Sequence, residues 1–384
     1  MSSRRGVEAE PFLVVAVTGR ALAESAARGG RSTVVLDLFA DRDTRVAARA
    51  SRAVASAGAL RFDRRALAAA ATELAPADRS AGLVYGSGFE GRPELLEQLA
   101  TGRRIFGNRP ERLSAVRNPR RFFALLDRFD IPYPEVSFTV PSVSTGWLVK
   151  HPAGAGGTQV RLAGRRQPRT GAYFQRLIPG RSLSALFLAD GRRACVLGFN
   201  EQWACPVRPG RPFLYGGAVA GLTLPSVLRG NILDRLDDLV AATGLIGLNG
   251  LDFLLVEDHW FVLEINPRPT ATVELYDPDW PDGLFAAHLE ACGHQLPNRV
   301  APLQASRAHE IVHARTLGEI PESFEFPAWC HDIPMPGTVL RPGEPICTVR
   351  VDAASPEEAA SLARARADEV TRAVAESCRT SVLQ

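Results

Sequence analysis

Apolar runs alternate with helical patterns over the first third of the chain. Residues 12–17 (FLVVAV) read as a buried strand. The turn Thr18-Gly19-Arg20 leads into a helix-like stretch, ALAESAARGG, and residues 33–38 (TVVLDL) read as a second strand. Strand, helix and strand on short links predict a parallel, Rossmann-like sheet. A later strand, Gly82–Tyr85, runs into Gly86-Ser87-Gly88-Phe89-Glu90. A small polar turn at a strand's C-terminal end is where open α/β sheets bind ligands, although two glycines also suit a plain tight turn. Asp37 closes the second strand. It reads either as a ribose-binding acid or as a strand-end residue facing water, and the absence of GxGxxG weakens the first reading.

The middle of the chain changes pattern. Asn118-Pro119 predicts a helix start, with Asn as N-cap and Pro at the first helical position. Phe122, Phe123, Leu125, Leu126 and Phe129 give that helix its apolar face, and Ile131-Pro132-Tyr133-Pro134 ends it. Strands are expected at 146–150 and 172–178. Residues 213–222 read as a flexible or tightly turned segment, 229–244 as a helix, and 251–256 with 260–266 as a hairpin. After residue 300 the pattern is that of a small α+β unit with strands at 308–314 and 345–351. Its last helix opens on a Ser355-Pro356-Glu357-Glu358 capping box, and Ala359, Ala363, Ala367, Val370 and Val374 form its apolar stripe, with Leu362 at the edge.

Composition narrows the class. The 384 residues are 46% hydrophobic and 23% charged with a formal charge of +3, which excludes a disordered or fibrous chain and suits two or three globular domains. The longest apolar runs are far short of the roughly 20 residues of a membrane span. The start carries Arg4-Arg5, but Glu8, Glu10 and Pro11 separate it from an apolar run too short for a secretory segment. Six scattered cysteines without CxxC suggest reduced thiols and a cytoplasmic setting. The arginines form no basic block, which argues against nucleic-acid binding. Lys150 is the only lysine among 45 basic residues, so arginine serves wherever a generic positive charge is needed.

Three segments carry candidate chemistry. The strand ending in Lys150 runs into His151-Pro152-Ala153-Gly154-Ala155-Gly156-Gly157-Thr158. Gly154, Gly156 and Gly157 allow close backbone approach, and successive N–H groups through Thr158 can point at phosphate oxygens. A hairpin turn is the alternative. The pair GLDFLLV (250–256) and WFVLEINPRP (260–269) reads as a two-stranded ribbon. A three-residue loop pairs Val256 with Trp260 and so Asp252 with Glu264; a two-residue turn puts those carboxylates on opposite faces. In the first register Asp252, Glu264 and Asn266 share a face. Facing carboxylates repel unless a cation joins them, and oxygen ligands suit Mg²⁺. The third segment, Gln175-Arg176-Leu177-Ile178-Pro179-Gly180, is a strand end that can offer backbone groups to an adenine edge.

In this order and spacing the three segments resemble the ATP-grasp superfamily. VKHPAGAGGTQV resembles its strand lysine and glycine loop, FQRLIPG its adenine-binding linker, and GLDFLL…FVLEINPRP its metal-binding hairpin. The resemblance implies an α/β (α+β) fold. A Rossmann-like pre-ATP-grasp domain would span 1–110 and a two-lobed ATP-grasp domain 111–300, its small lobe about 111–175 and its large lobe about 176–300. A small C-terminal α+β domain would span 301–384. It further implies that Lys150, with Gly154, Gly156, Gly157 and Thr158, binds the phosphates of ATP, and that Gln175, Arg176, Leu177 and Ile178 bind adenine. Asp252, Glu264 and Asn266 would hold Mg²⁺, or Mn²⁺, and Arg268 would act with Lys150 on the γ-phosphate or acyl phosphate.

Two positions depart from the family pattern. Asn118-Pro119, flanked by Arg117 and Arg120, replaces a family Asp-Lys pair, and Gly180-Arg181-Ser182 lacks a ribose-binding glutamate. The implied activity is an ATP-dependent carboxylate–amine ligase working through an acyl phosphate, with a glutamate- or tyramine-type amide ligase of one-carbon cofactor biosynthesis as a specialisation. Small-molecule carboxylate and amine partners and a homodimer go with it. Carboxylation through carboxyphosphate and a nucleotide-binding regulator without turnover are the other readings. The 200–217 segment, with Arg208 and Arg211, and residues 270–274 are candidates for contacting the second substrate.

Overall fold

The computed structural model describes residues 9–56, 60–164, 169–208 and 210–382, with side chains to 378; the Arg4-Arg5 and Glu8 of the sequence reading lie outside this set. The first unit comprises β1 (Phe12–Val15), α1 (Arg20–Arg28), β2 (Thr33–Asp37), α2 (Arg42–Ala47), β3 (Ala50–Ala53), α3 (Arg64–Leu74), β4 (Gly82–Tyr85), α4 (Pro93–Ala100) and β5 (Ile105–Phe106). The strands form the expected all-parallel sheet in the order β3-β2-β1-β4-β5. Leu13, Val15, Leu36 and Leu83 pack under α3 and α4, while Val14, Val35 and Val84 pack against α1 on the other face. This two-sided burial explains why the strands read as unbroken apolar runs. Asp37 neither faces water nor stands open to a ribose. It is fully buried and accepts backbone N–H groups from Gly19, Phe39 and Ala40, fixing the first βα turn.

Helices α5 (Pro110–Arg117) and α6 (Pro119–Arg128) lead into the second unit. Asn118 caps α6 as expected, its side chain accepting the Arg121 N–H at 3.2 Å, and Phe122, Phe123 and Leu126 form the buried face. A small antiparallel sheet follows, β6 (Val136–Ser137), β7 (Trp147–Lys150), β8 (Arg161–Leu162) and β9 (Tyr173–Arg176), in the order β6-β9-β7-β8. The remaining elements are β10 (Arg181–Asp190), β11 (Ala194–Ala204), β12 (Tyr215–Ala220), α7 (Ser226–Thr243), β13 (Ile246–Val256), β14 (His259–Asn266), α8 (Val273–Tyr276), α9 (Gly283–Cys292), β15 (Ser306–His313), β16 (Gly318–Glu319), β17 (Cys330–His331), β18 (Val339–Leu340), β19 (Pro345–Ala353) and α10 (Pro356–Val382).

Eight of these strands make one sheet in the order β14-β13-β10-β11-β12-β15-β19-β17. Residues 213–222 are therefore not a flexible stretch: most of them form β12, an interior strand between β11 and β15. Its two glycines hid it. Gly217 is required there because a Cβ would run into the His309 carbonyl and the Trp203 ring. The strands beyond residue 300 extend this same sheet, while β16 and β18 pair separately. One face of the sheet buries Leu183, Phe187, Leu251, Phe253 and Val262 under α7. The opposite face buries Leu186, Leu188, Ala218 and Leu248 under α8 and α9. Where that second cover ends, the strands carry polar side chains and the site opens. The predicted stripe of α10 is buried against β15 and β19. At its start the Ser355 hydroxyl accepts the Glu358 N–H, and the Glu358 carboxylate reaches the Ala354 N–H, one residue earlier than in the ideal capping box.

Candidate active site

The β13–β14 hairpin decides the geometry. Its turn holds two residues, Glu257 and Asp258, and pairs Val256 with His259 rather than with Trp260. Continued regularly, this register would set Asp252 opposite Leu263. A β-bulge intervenes: Phe253 pairs with Val262 but Asp252 pairs with Glu264, leaving Leu263 as the extra residue. The expected loop length was wrong, and the expected pairing of the carboxylates holds because the bulge restores it. Gly250 pairs with Asn266, so Asp252, Glu264 and Asn266 lie together in the wall of a cleft of about 590 Å³.

The carboxylates are held by donors. Asp252 Oδ1 accepts from Gln202 at 2.9 Å and Oδ2 from Asn266 Nδ2 at 2.8 Å. Glu264 accepts from Arg117 at 2.8 Å. Burial first, then the neighbouring Glu264, pushes the Asp252 carboxyl up to about 6, against the pull of Gln202, Asn266 and Arg268. Two carboxylates and an amide on one ribbon, one of the acids resisting ionisation because it is buried beside the other, form a donor set that fits a hard divalent cation.

Lys150 ends β7 on the facing lobe and is buried, its Nζ donating to Gln175 Oε1 at 2.9 Å. Burial lowers its pKa, while Glu264 and Asp252 favour the charged form. Gln175 Nε2 is buried without a hydrogen-bond partner, an unfilled donor beside the lysine that suits an acceptor-rich ligand. Arg176 lies over the Trp147 ring at 5.2 Å, the Leu177 N–H donates to Gly146, and Ile178 is half-buried; all four linker residues line the cleft.

Of the glycine loop, Gly154, Gly156 and Gly157 line the cleft. Thr158 does not: its hydroxyl turns back to the Ala155 carbonyl, and the residue lines a separate small recess with Glu90 and Arg92. Gly157 has φ +71° and sits against the Phe213 carbonyl where no side chain fits. The Gly156 carbonyl accepts from the Tyr215 N–H at 3.0 Å, which anchors the loop to β12.

Arg117, one of the two arginines flanking Asn118-Pro119, takes a central place in the site. It ends α5, is buried, and joins three parts of the site: it pairs with Glu264 and donates to the Pro152 and Gly154 carbonyls at 2.7 Å each. Arg120, the other flanking arginine, lies over the Phe138 ring instead. Arg268 is buried with its Nε 2.7 Å from Glu90 Oε1, so the Gly86–Glu90 turn reaches the site by orienting this arginine through an ion pair on one side of the guanidinium. Burial alone would raise the Glu90 carboxyl, but Arg268 and Arg117 hold it below the ordinary range. Arg208 and Arg211 clamp backbone, donating to the Gly343 and Thr158 carbonyls respectively. A Glu90 partner for Arg268 has no local sequence signal, since 178 residues separate the two.

Residues 118–272 match the model of the ATP-grasp domain. That middle stretch carries an ATP-grasp domain. An uncharacterised protein of Methanocaldococcus jannaschii is 25% identical over 176 residues, 46% of this chain and 41% of that protein, so the chain spans well under half of that relative. A likeness of fold to solved structures extends along nearly the whole chain. The biotin carboxylase domain of Hydrogenobacter thermophilus 2-oxoglutarate carboxylase superposes with a TM-score of 0.71 at 13% identity, covering 93% of this chain and 89% of that one. The L-amino acid ligase of Bacillus licheniformis superposes with a TM-score of 0.67 at 16% identity, covering 94% and 98%. At these identities the likeness is one of fold. Among the described residues no helix is long and apolar enough to cross a membrane.

Proposed function

We propose that the protein is an ATP-dependent carboxylate–amine ligase that forms an amide through an acyl phosphate and releases ADP and phosphate. The observation that carries this reading is the convergence of the Asp252–Glu264–Asn266 ribbon and the buried Lys150 on one cleft beneath a glycine loop. Asp252, Glu264 and Asn266 would hold Mg²⁺ or Mn²⁺, which when bound screens the charge of the β- and γ-phosphates. Lys150 and Arg268 place fixed positive charge on the phosphoryl group as it moves to a substrate carboxylate. The loop from Gly154 to Gly157, fastened by Arg117 and by the Tyr215 N–H, orients the phosphates and keeps water from the acyl phosphate. The adenine lies along Gln175–Ile178. None of these roles requires a side-chain nucleophile.

Carboxylation through carboxyphosphate is the second reading, favoured by the 0.71 superposition on a domain crystallised with MgADP and bicarbonate. Coupled measurement of ADP separates the two. A panel of carboxylic acids and primary amines, beginning with glutamate and tyramine, is offered with ATP and Mg²⁺. ADP release that needs both an acid and an amine supports the ligase. Release that needs bicarbonate supports carboxylation, and ATP binding without ADP under every mixture removes both in favour of a regulator.

A further inference from the structure

An amine that attacks an acyl phosphate must lose a proton, and the acids in and beside the cleft have other partners. Asp252 and Glu264 form the ribbon pair, and Glu90 is held by Arg268. His151, the one imidazole lining the cleft among the described residues, has both nitrogens occupied. Its Nδ1 accepts the Ala153 N–H at 3.2 Å, which leaves Nε2 to donate to the Thr170 carbonyl at 3.1 Å.

Tyr215 is different. It lines the cleft beside Gly156, and its hydroxyl lies 2.7 Å from His309 Nε2. His309 is 1% exposed. It pairs with Ala218, which pairs with Gln202, the residue that holds Asp252. The imidazole therefore sits on the cleft face of the sheet, one row along from the carboxylates. Its Nδ1 stands 2.7 Å from Glu274 Oε1, bent out of line with the ring N–H. Glu274 is buried, and its other oxygen is held by Arg20 at 2.5 Å. A carboxylate beside Nδ1 fixes the tautomer with its proton there, so Nε2 accepts and the Tyr215 hydroxyl donates inward. The phenolic oxygen keeps its own lone pairs for an incoming donor.

We infer that Tyr215, His309 and Glu274 form a relay that takes the proton from the attacking amine; this deepens the ligase reading and rests on it. The amine lone pair forms the C–N bond as the C–O bond to phosphate breaks, and phosphate leaves with that electron pair. The amine proton passes to the Tyr215 oxygen as the Tyr215 proton passes to His309 Nε2, giving an imidazolium beside the Glu274 carboxylate. The proton returns through Tyr215 to solvent as products leave. Burial, with Glu274 and Asp252 nearby, holds Tyr215 far above the ordinary phenol range, so the transfer is concerted and never rests on a phenolate. The other charged groups around the imidazole are Arg350, directly opposite on β19, Arg20 from α1 behind Glu274, Glu310 next along β15, and Asp332 with His331 beyond Arg20.

The test compares Tyr215→Phe and His309→Gln with the wild type, using the acid found by the ADP screen and two nucleophiles. One is a primary alkylamine. The other is hydroxylamine, whose adduct is acidic enough to lose its proton to water. The relay predicts a loss of about 10²–10⁴ in kcat with the alkylamine, an unchanged KM for ATP, and little change with hydroxylamine. Equal losses with both nucleophiles mean a packing role and overturn the relay, as does full alkylamine turnover in Tyr215→Phe. A wild type inert with every acid and amine brings down the ligase reading and the relay together. An active wild type beside an unaffected Tyr215→Phe brings down the relay alone. Should either variant fail to fold, imidazole ¹⁵N shifts of the wild type decide: His309 protonated on Nδ1 with Nε2 accepting supports the relay, and the opposite tautomer overturns it.

Discussion

Replacing Arg117 by Met should make the cation-free protein less stable and more dependent on a divalent cation. The guanidinium is buried and makes a charge-assisted bond to Glu264 at 2.8 Å and two 2.7 Å bonds to the Pro152 and Gly154 carbonyls. Two unit charges about 4 Å apart attract by about 4 kcal/mol at an effective dielectric constant of about 20. The Glu264 side chain is 34% exposed, so water recovers roughly half of that when the arginine is lost. Each lost bond to a carbonyl adds roughly 1 kcal/mol. A net loss of about 2–4 kcal/mol is expected. The variant also leaves Asp252 and Glu264 facing each other with less positive charge nearby, so a bound cation should relieve more repulsion than in the wild type. The assay is thermal unfolding with and without Mg²⁺ or Mn²⁺. At a concentration of about 100 Kd a ligand adds about 2.7 kcal/mol. In Arg117→Met this level should be reached at lower metal concentration than in the wild type. If both proteins are stabilised equally at every concentration, the carboxylate pair is not the cation site. If the variant unfolds no earlier than the wild type, Arg117 does not hold the site together.

Other perturbations test the remaining parts. Lys150→Met and Glu264→Ala should each abolish ADP formation while leaving the circular dichroism spectrum and unfolding cooperativity intact; full activity in either would remove the phosphate-binding assignment. Gly157→Ala should raise the KM for ATP, because the φ of +71° and the Phe213 carbonyl leave no room for a methyl group, and unchanged kinetics would show that the loop conformation does not matter to binding. Asp41 is held by burial, and by Asp332, Asp37 and Asp43, with its pKa raised to about 8 from an ordinary 3.8. The folded state therefore keeps a proton that the unfolded state releases, and the stability from this group, complete below pH 4, is lost as the pH rises towards 8, by at most about 1.4 kcal/mol per pH unit. Asp41→Asn should flatten the fall in melting temperature between pH 5 and 8, and an unaltered slope would sink that account.

The sequence by itself determined the local elements and the chemistry they carry. Apolar runs fixed β1, β2 and β4, Asn118-Pro119 fixed the start of α6, and the solitary Lys150 beside a glycine loop marked the end of the cleft proposed to take the phosphates, because each depends on neighbours a few residues away. The string from Glu264 to Arg268 likewise carried the resemblance to a metal-binding hairpin. Tertiary structure decided what depends on residues far apart. The two-residue turn alone would have turned Asp252 away from Glu264, and a bulge at Leu263 reversed that outcome. Arg117 entered the site because the glycine loop offers it two carbonyls, and Arg268 found Glu90 because the Rossmann-like unit packs against the end of β14. β12 is a strand because β11 and β15 supply hydrogen bonds on both sides, although its own glycines argue for a turn. Tyr215, His309 and Glu274 come from three distant segments, and only the eight-stranded sheet with the short helix at 273–276 sets them side by side. Pairing energies across a sheet and the pairing of buried charges are properties of the folded chain, so no window of sequence contains them.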